Sequence, residues 1–368
     1  MKYYLIAGEA SGDLHASNLM KSLKKNDSDC QFRYWGGDHM QEVSGIEPVK
    51  HYKELAFMGF VEVLMNLRTI LGNLKLAKRD IESYQPDALI LIDYPGFNMR
   101  IAEWAKQRNI KIYYYISPQI WAWKQNRVHA IKRDVTRMLT ILPFEREFYQ
   151  GFGMDVDFVG HPLLDAVQNR TSPTVSDVLG SDDGRKVVAL LPGSRKQEID
   201  AMLSTMLKMP KHFPDYRFVV AGAPSQSESY YQSLGLGEVE VVMNRTYDLL
   251  SISHAACVTS GTATLETALF NVPEVVCYKA NSISYQIAKR VVKVKYISLV
   301  NLIADREVVK ELIQGEMNEK KLKGELENIL EGKGREQMLA DFVILQKLLG
   351  GPGASDRAAE VIQSDIAS

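Results

Sequence analysis

Cysteine is scarce: Cys30, Cys257 and Cys277 are the only three in 368 residues, far apart and without a CxxC. That spacing excludes a disulfide framework and a thiolate zinc site, and it suits buried or free thiols in a reducing cytoplasm. Long apolar runs are missing as well. No stretch reaches the roughly 18 residues of a membrane-spanning helix. The amino-terminal MKYYLIAGEASGD has one lysine and an apolar run too short for a secretory signal; it enters a glycine turn at once, as a first β-strand does. Neither sign of charge is in excess. With 44 Lys+Arg against 45 Asp+Glu the formal net charge is -1, so no global field draws the chain to nucleic acid. Two nucleotide fingerprints are also absent. GEASGD, Gly8–Asp13, is neither GxGxxG nor a Walker A loop, which argues against a dehydrogenase and an ATPase.

What is present is a soluble globular composition, 46% hydrophobic and 24% charged, in a chain long enough for two cores. Apolar, β-rich runs alternate with helical patterns. Expected strands are Tyr3–Ala7, Phe32–Trp35, Ala88–Asp93, Ile112–Ile116 and Met138–Leu142, then Val187–Leu191, Arg217–Ala221, Val239–Val242, Ala256–Thr259 and Glu274–Tyr278. Such alternation predicts parallel sheets, and unbroken runs such as ALILID predict burial on both faces. The polar stretch Val167–Arg185 breaks the pattern. The fold class is therefore α/β, with two doubly wound domains and a cleft between them: residues 1–167, residues 186–335, and a helical tail, 336–368, that returns to the first domain or swaps between subunits.

Two strand-to-helix turns stand out in the second half: Val187–Ile199 (VVALLPGSRKQEI) and Ala256–Leu269 (ACVTSGTATLETAL). Each presents free backbone N–H groups at a helix start, where the dipole is positive. Arg195 adds a fixed cation, and Glu266 is placed to reach back from its helix. Together they suit a nucleoside diphosphate; as separate turns they are ordinary βα loops. A third feature is Leu55–Leu76. Phe57, Phe60, Val61, Leu64, Leu67, Leu71 and Leu74 form a helical stripe, with Met58, Val63, Met65 and Ile70 off it and Lys75, Lys78 and Arg79 beside it. A face this broad next to cations fits a helix touching a lipid surface, with Phe57, Phe60, Val61, Leu64, Leu67 and Leu71 as contacts, or else a helix buried on two sides.

Nine segments in order resemble the lipid-A-disaccharide synthase family: AGEASGDLHA (Ala7–Ala16), MGFVEVL (Met58–Leu64), IDYPGFNMRIA (Ile92–Ala102), YYISPQIWAWKQNRV (Tyr114–Val128), LPFEREFY (Leu142–Tyr149), FVGHPLLD (Phe158–Asp165), LLPGSRKQEI (Leu190–Ile199), SGTATLE (Ser260–Glu266) and VNLIA (Val300–Ala304). The resemblance implies a GT-B fold of two Rossmann-like domains, with the acceptor on the first and the sugar nucleotide mostly on the second. It implies transfer of 2,3-diacylglucosamine from UDP-2,3-diacylglucosamine to the 6-hydroxyl of 2,3-diacylglucosamine 1-phosphate (lipid X), with inversion, giving a β-1,6 link and UDP. It also implies a peripheral place on the cytoplasmic face of the inner membrane in Gram-negative bacteria. No cofactor, metal or nucleic acid is expected, since fixed cations and helix dipoles can serve the leaving group and the net charge is near zero; a homodimer stays open. The chain departs from the family pattern at Gly96, where a second acid often stands, and at His15 and Val300.

Inverting transfer needs a base, and stabilisation of an oxocarbenium ion and of a departing diphosphate. Asp93, ending an apolar strand before Tyr94-Pro95-Gly96, is the expected base, or else a turn cap. Glu9 and Asp13 are further catalytic candidates; Asp13 is equally a helix cap. Gly8, Ser11 and Gly12 let backbone approach a ligand. Ser194, Arg195, Gln197, Gly261 and Thr262 are expected at the diphosphate, Glu266 at the ribose, and Asn301, after a Tyr296–Leu299 strand, as a further nucleotide contact. Trp121, Trp123 and His161 are read as structural. Asp155-Val156-Asp157 matches a metal-binding DxD pattern that three residues meet easily by chance.

Overall fold

In the computed structural model, which describes residues 1–55, 67–168, 173–280 and 294–367, the chain forms two compact units. One comprises Met1–Asp165 with Leu349–Ser368, the other Ala166–Leu348. The first holds a parallel sheet of β1 (Lys2–Ala7), β2 (Gln31–Gly36), β3 (Lys50–His51), β4 (Ala88–Ile92), β5 (Ile112–Tyr115), β6 (Arg137–Thr140) and β7 (Asp157–Phe158), in the order β3-β2-β1-β4-β5-β6-β7. The second holds β8 (Lys186–Leu191), β9 (Tyr216–Gly222), β10 (Glu240–Met243), β11 (Ser253–Thr259), β12 (Glu274–Tyr278) and β13 (Lys310–Ile313), also parallel, in the order β10-β9-β8-β11-β12-β13.

Both sheets therefore reverse their winding once, between β1 and β4 and between β8 and β11. Carboxyl ends of strands at such a reversal leave a crevice for ligands. Central strands are apolar throughout because helices cover both faces: every residue of Ala88–Ile92 is buried, as are Val187–Leu191. Three short edge strands, β3, β7 and β13, were not expected from the sequence; runs of two to four residues with polar members carry no apolar period. The expected Tyr296–Leu299 strand is not one. Ser298 instead caps the helix Leu299–Ala304, its side chain accepting from the Asn301 N–H.

The tail divides. Helix Gly332–Leu348 stays with the second unit, where Asp341 receives the Arg306 guanidinium at 2.7 and 3.0 Å. Helix Ala354–Ala367 belongs to the first. There Asn26 bonds Gln363 (2.9 Å) and Tyr113 donates to Asp365 (2.7 Å). The start of that helix is held by Asp165, which accepts from the N–H groups of Gly353 and Ser355.

Of the proposed lipid-facing stripe, Phe57, Phe60, Val61 and Leu64 lie outside the described residues, as does the Leu67 side chain. Helix Leu67–Tyr84 follows. On it Leu71 is 53% exposed, whereas Leu74 turns inward with Ala77 and Ile81. Among the described residues no helix is long and apolar enough to cross a membrane.

Candidate active site

In the first unit the switch point is built from two turns. Ala7 and Ile92 are register partners, so Gly8–Glu9 and Asp93–Tyr94 leave the sheet side by side. Asp93 and Tyr94 both adopt left-handed backbone, φ 42° and 48°, a conformation costly for a bulky residue. Four contacts hold it. The Asp93 carbonyl accepts from the Tyr114 hydroxyl (2.6 Å) and the Asn98 amide (2.8 Å). Asn98 also donates to the Ile92 carbonyl (3.2 Å). The Tyr94 ring stacks on Phe97, 5.5 Å between centroids. Gly8 is needed here because a Cβ would run into the Tyr94 ring. The half-buried Asp93 carboxyl is pushed up to about 6, first by burial and then by the like charge of Glu9.

Asp13 is only 1% exposed. Its carboxylate accepts from the backbone N–H groups of Gly37 (2.6 Å), His39 (3.0 Å) and Met40 (3.2 Å). It holds the start of the neighbouring helix Asp38–Ser44 instead of capping its own, and its lone pairs are committed there. Gly12 packs at the foot of helix Ala10–Asn26, and Ser11 is exposed on its first turn. Trp121 is buried, edge-on to Phe144 at 4.9 Å. His161 is buried and accepts from the Leu163 N–H. Asp157 of the DxD match receives the Arg137 fork at 2.7 and 2.8 Å.

The sequence reading passed over Asn98, Tyr114 and Glu145. Glu145 is buried in the first turn of helix Pro143–Gln150, accepting from the N–H groups of Leu142 and Ile141. Burial pushes its carboxyl up to about 7.

The second unit repeats the plan. The Pro192–Gly193–Ser194 turn leaves β8, and Ser260–Gly261–Thr262 leaves the neighbouring β11. Between them lies a cavity of about 260 Å³, lined among others by Gly193, Ser194, Thr259, Gly261, Thr262 and Glu266. Gly193 has φ 108°, and a Cβ on it would stand 2.8 Å from the Glu198 carboxylate. Glu198 also fixes Arg195: its oxygens accept from the Arg195 N–H (3.3 Å) and pair with the guanidinium (3.0 Å). Arg195 is well exposed at the start of helix Lys196–Met206, and Gln197 lies exposed on its first turn; neither lines the cavity. Glu266 is half-buried, its carboxyl raised by burial and lowered by the Tyr247 hydroxyl.

Asn301 does not join this group. It is fully buried, and its amide is used up by the fold, accepting from the N–H groups of Val308 and Val309 and donating to the Val309 carbonyl and Glu311. Among the described residues no three His, Cys, Asp or Glu side chains are grouped to hold a metal.

A family model described as lipid-A-disaccharide synthetase matches residues 3–355. The lipid-A-disaccharide synthase of Geobacter metallireducens is 39% identical, over 97% of this chain and 95% of its own. That of Nitrosococcus oceani is 39% identical over 97% and 94%. Solved structures share the fold at low identity. A glycotransferase of kitacinnamycin superposes with a TM-score of 0.67 at 15% identity, over 99% of this chain and 98% of its own. The UDP-GlcNAc 2-epimerase of Neisseria meningitidis bound to UDP-GlcNAc gives 0.63 at 12%, over 100% of both. The chain belongs to the lipid-A-disaccharide synthase family, glycosyltransferases whose two parallel-sheet units make the GT-B fold.

Proposed function

We propose that this chain transfers 2,3-diacylglucosamine from UDP-2,3-diacylglucosamine to the 6-hydroxyl of 2,3-diacylglucosamine 1-phosphate. The acceptor oxygen attacks the anomeric carbon as the bond from that carbon to the UDP oxygen breaks, so the configuration inverts. The hydroxyl proton passes to Asp93, and UDP leaves with the bonding pair. Asp93 carries this reading: a carboxyl at a switch point with a pKa of about 6 is ionised at neutral pH yet basic enough to take a proton. Glu9 raises its basicity. Ser194, Gly261 and Thr262 hold the diphosphate in the cavity, Arg195 and Gln197 approach it from the helix start outside the lining, and Glu266 accepts from the ribose. Helix starts and a fixed guanidinium stabilise the leaving group without a metal.

Both substrates carry acyl chains, so the enzyme works at a lipid surface. Exposed Leu71 and Leu76 beside Lys75 and Lys78 support contact with the cytoplasmic face of the inner membrane.

The test mixes the purified protein with both substrates in detergent micelles containing EDTA and follows the products by mass spectrometry. A tetraacyl disaccharide 1-phosphate with UDP is expected. Absence of disaccharide, with and without restored Mg²⁺, would overturn the reading.

A further inference from the structure

Glu266 lines the cavity of the second unit, but a second residue governs it. The Tyr247 hydroxyl donates to Glu266 Oε1 at 3.2 Å. Tyr247 is partly buried, its ring 5.4 Å from that of Phe270 at the far end of helix Thr262–Leu269. The segment that presents it is anchored on both sides. Asn244, in left-handed backbone, bonds the end of β9 through its N–H. Arg245 is paired with Asp248 (2.8 Å) and donates to the Asp177 carbonyl (3.2 Å). Thr246, next in the chain, lines the same cavity.

An ionised carboxylate only accepts hydrogen bonds, and a half-buried one turns towards any donor in reach. A rigid phenol at one oxygen restricts how the carboxylate can turn and leaves its other lone pairs for a ligand with two adjacent hydroxyls. It also opposes the burial that favours the protonated form. Protonation would replace an acceptor with a donor and blunt recognition of a diol.

We infer that Tyr247 is the positioning residue that makes the Glu266 carboxylate a reader of the ribose cis-diol, so that the site selects ribonucleoside over 2′-deoxyribonucleoside diphosphates. The inference rests on the proposed nucleotide site. A ligand lacking the 2′-hydroxyl leaves a desolvated carboxylate oxygen without its donor, the arrangement that discriminates most strongly against a missing group.

UDP and 2′-deoxy-UDP are titrated calorimetrically into the wild-type protein, Tyr247→Phe and Glu266→Gln between pH 5 and 8. Tyr247→Phe keeps the ring on Phe270, and circular dichroism checks its fold. The wild type is expected to prefer UDP. Tyr247→Phe is expected to lose about tenfold in UDP affinity, the effect of one hydrogen bond to a charged group. It should change little towards 2′-deoxy-UDP, and the acidic limb of its UDP affinity should move to higher pH. A folded Tyr247→Phe with the wild-type preference and pH profile would overturn the role of Tyr247 alone, provided that Glu266→Gln loses the preference. If Glu266→Gln keeps it too, the carboxylate is not the ribose reader and the inference falls with it. If no UDP binds to the wild type, the nucleotide site itself is wrong.

Discussion

Asp93 is held in a backbone conformation and a protonation range that a free aspartate avoids, and both have consequences that can be measured. Its folded pKa of about 6 lies above the unfolded value of about 3.9. The fold therefore favours the protonated form: ionisation costs stability in full above pH 6, and that cost vanishes as pH falls below the unfolded value. Asp93→Asn removes it while keeping a side chain that tolerates positive φ. The variant is expected to be more stable than the parent at pH 8, by up to about 3 kcal/mol, and to lose transfer activity by orders of magnitude. Thermal melts and initial rates measure the two effects. Glu9→Gln acts in the opposite sense on chemistry. Removing the like charge lowers the Asp93 pKa, so the acidic limb of kcat/KM should move to lower pH; an unmoved limb would separate Glu9 from Asp93. That a carboxylate ends ALILID can be read along the chain. The groups that hold it cannot, because Tyr114 stands 21 residues from Asp93 and reaches it only through the pairing of β5 with β4.

Elements show how one side chain can serve a neighbour instead of its own helix. Asp13, the last residue of GEASGD, was legible as a cap or a base. Its actual partners, Gly37, His39 and Met40, lie 24 to 27 residues away and meet it only because β1 pairs with β2. Asp13→Ala is expected to strand three N–H groups at the start of helix Asp38–Ser44, lowering stability by about 2–4 kcal/mol in chemical denaturation. Activity at low temperature should fall much less than in Asp93→Asn and should keep its acidic limb near pH 6. A loss of turnover without a loss of stability would return Asp13 to the chemistry. Asn301 makes the same point: its motif is legible, but its amide joins the Leu299–Ala304 helix to β13, a short strand with little apolar signal of its own.

At the scale of the whole molecule, the returning tail is tied to a buried histidine pair in the first unit. His15 and His161 are pulled down to about 4 and about 3 by burial. Their neighbour Asp165 holds the start of helix Ala354–Ala367, and the His161 N–H bonds the Leu349 carbonyl. A depressed folded pKa contributes stability above the unfolded value of about 6.5 that is lost as pH falls towards the folded one, about 3 kcal/mol for His15 and about 5 kcal/mol for His161. Melting temperature should therefore drop steeply between pH 6.5 and 4, with early loss of hydrogen-exchange protection at the amides of Gly353 and Ser355. His15→Leu, which removes a ring whose buried Nδ1 has no partner among the described residues, should flatten that drop; an equally steep fall would show that the pair does not govern the tail. Along the chain alone one can read the parallel α/β class, ten of the thirteen strands, the two strand-to-helix turns of the second unit and the placing of Asp93, Arg195 and Glu266 at strand or helix ends. These follow from apolar period and turn chemistry, which act over a few residues. That Asp13 and Asn301 serve the fold, that Asn98 and Tyr114 hold the Asp93 turn, and that Tyr247 reaches Glu266 emerge from tertiary packing. Those pairings depend on which strands lie side by side, and strand order arises from the packing of whole units, not from any local run of residues.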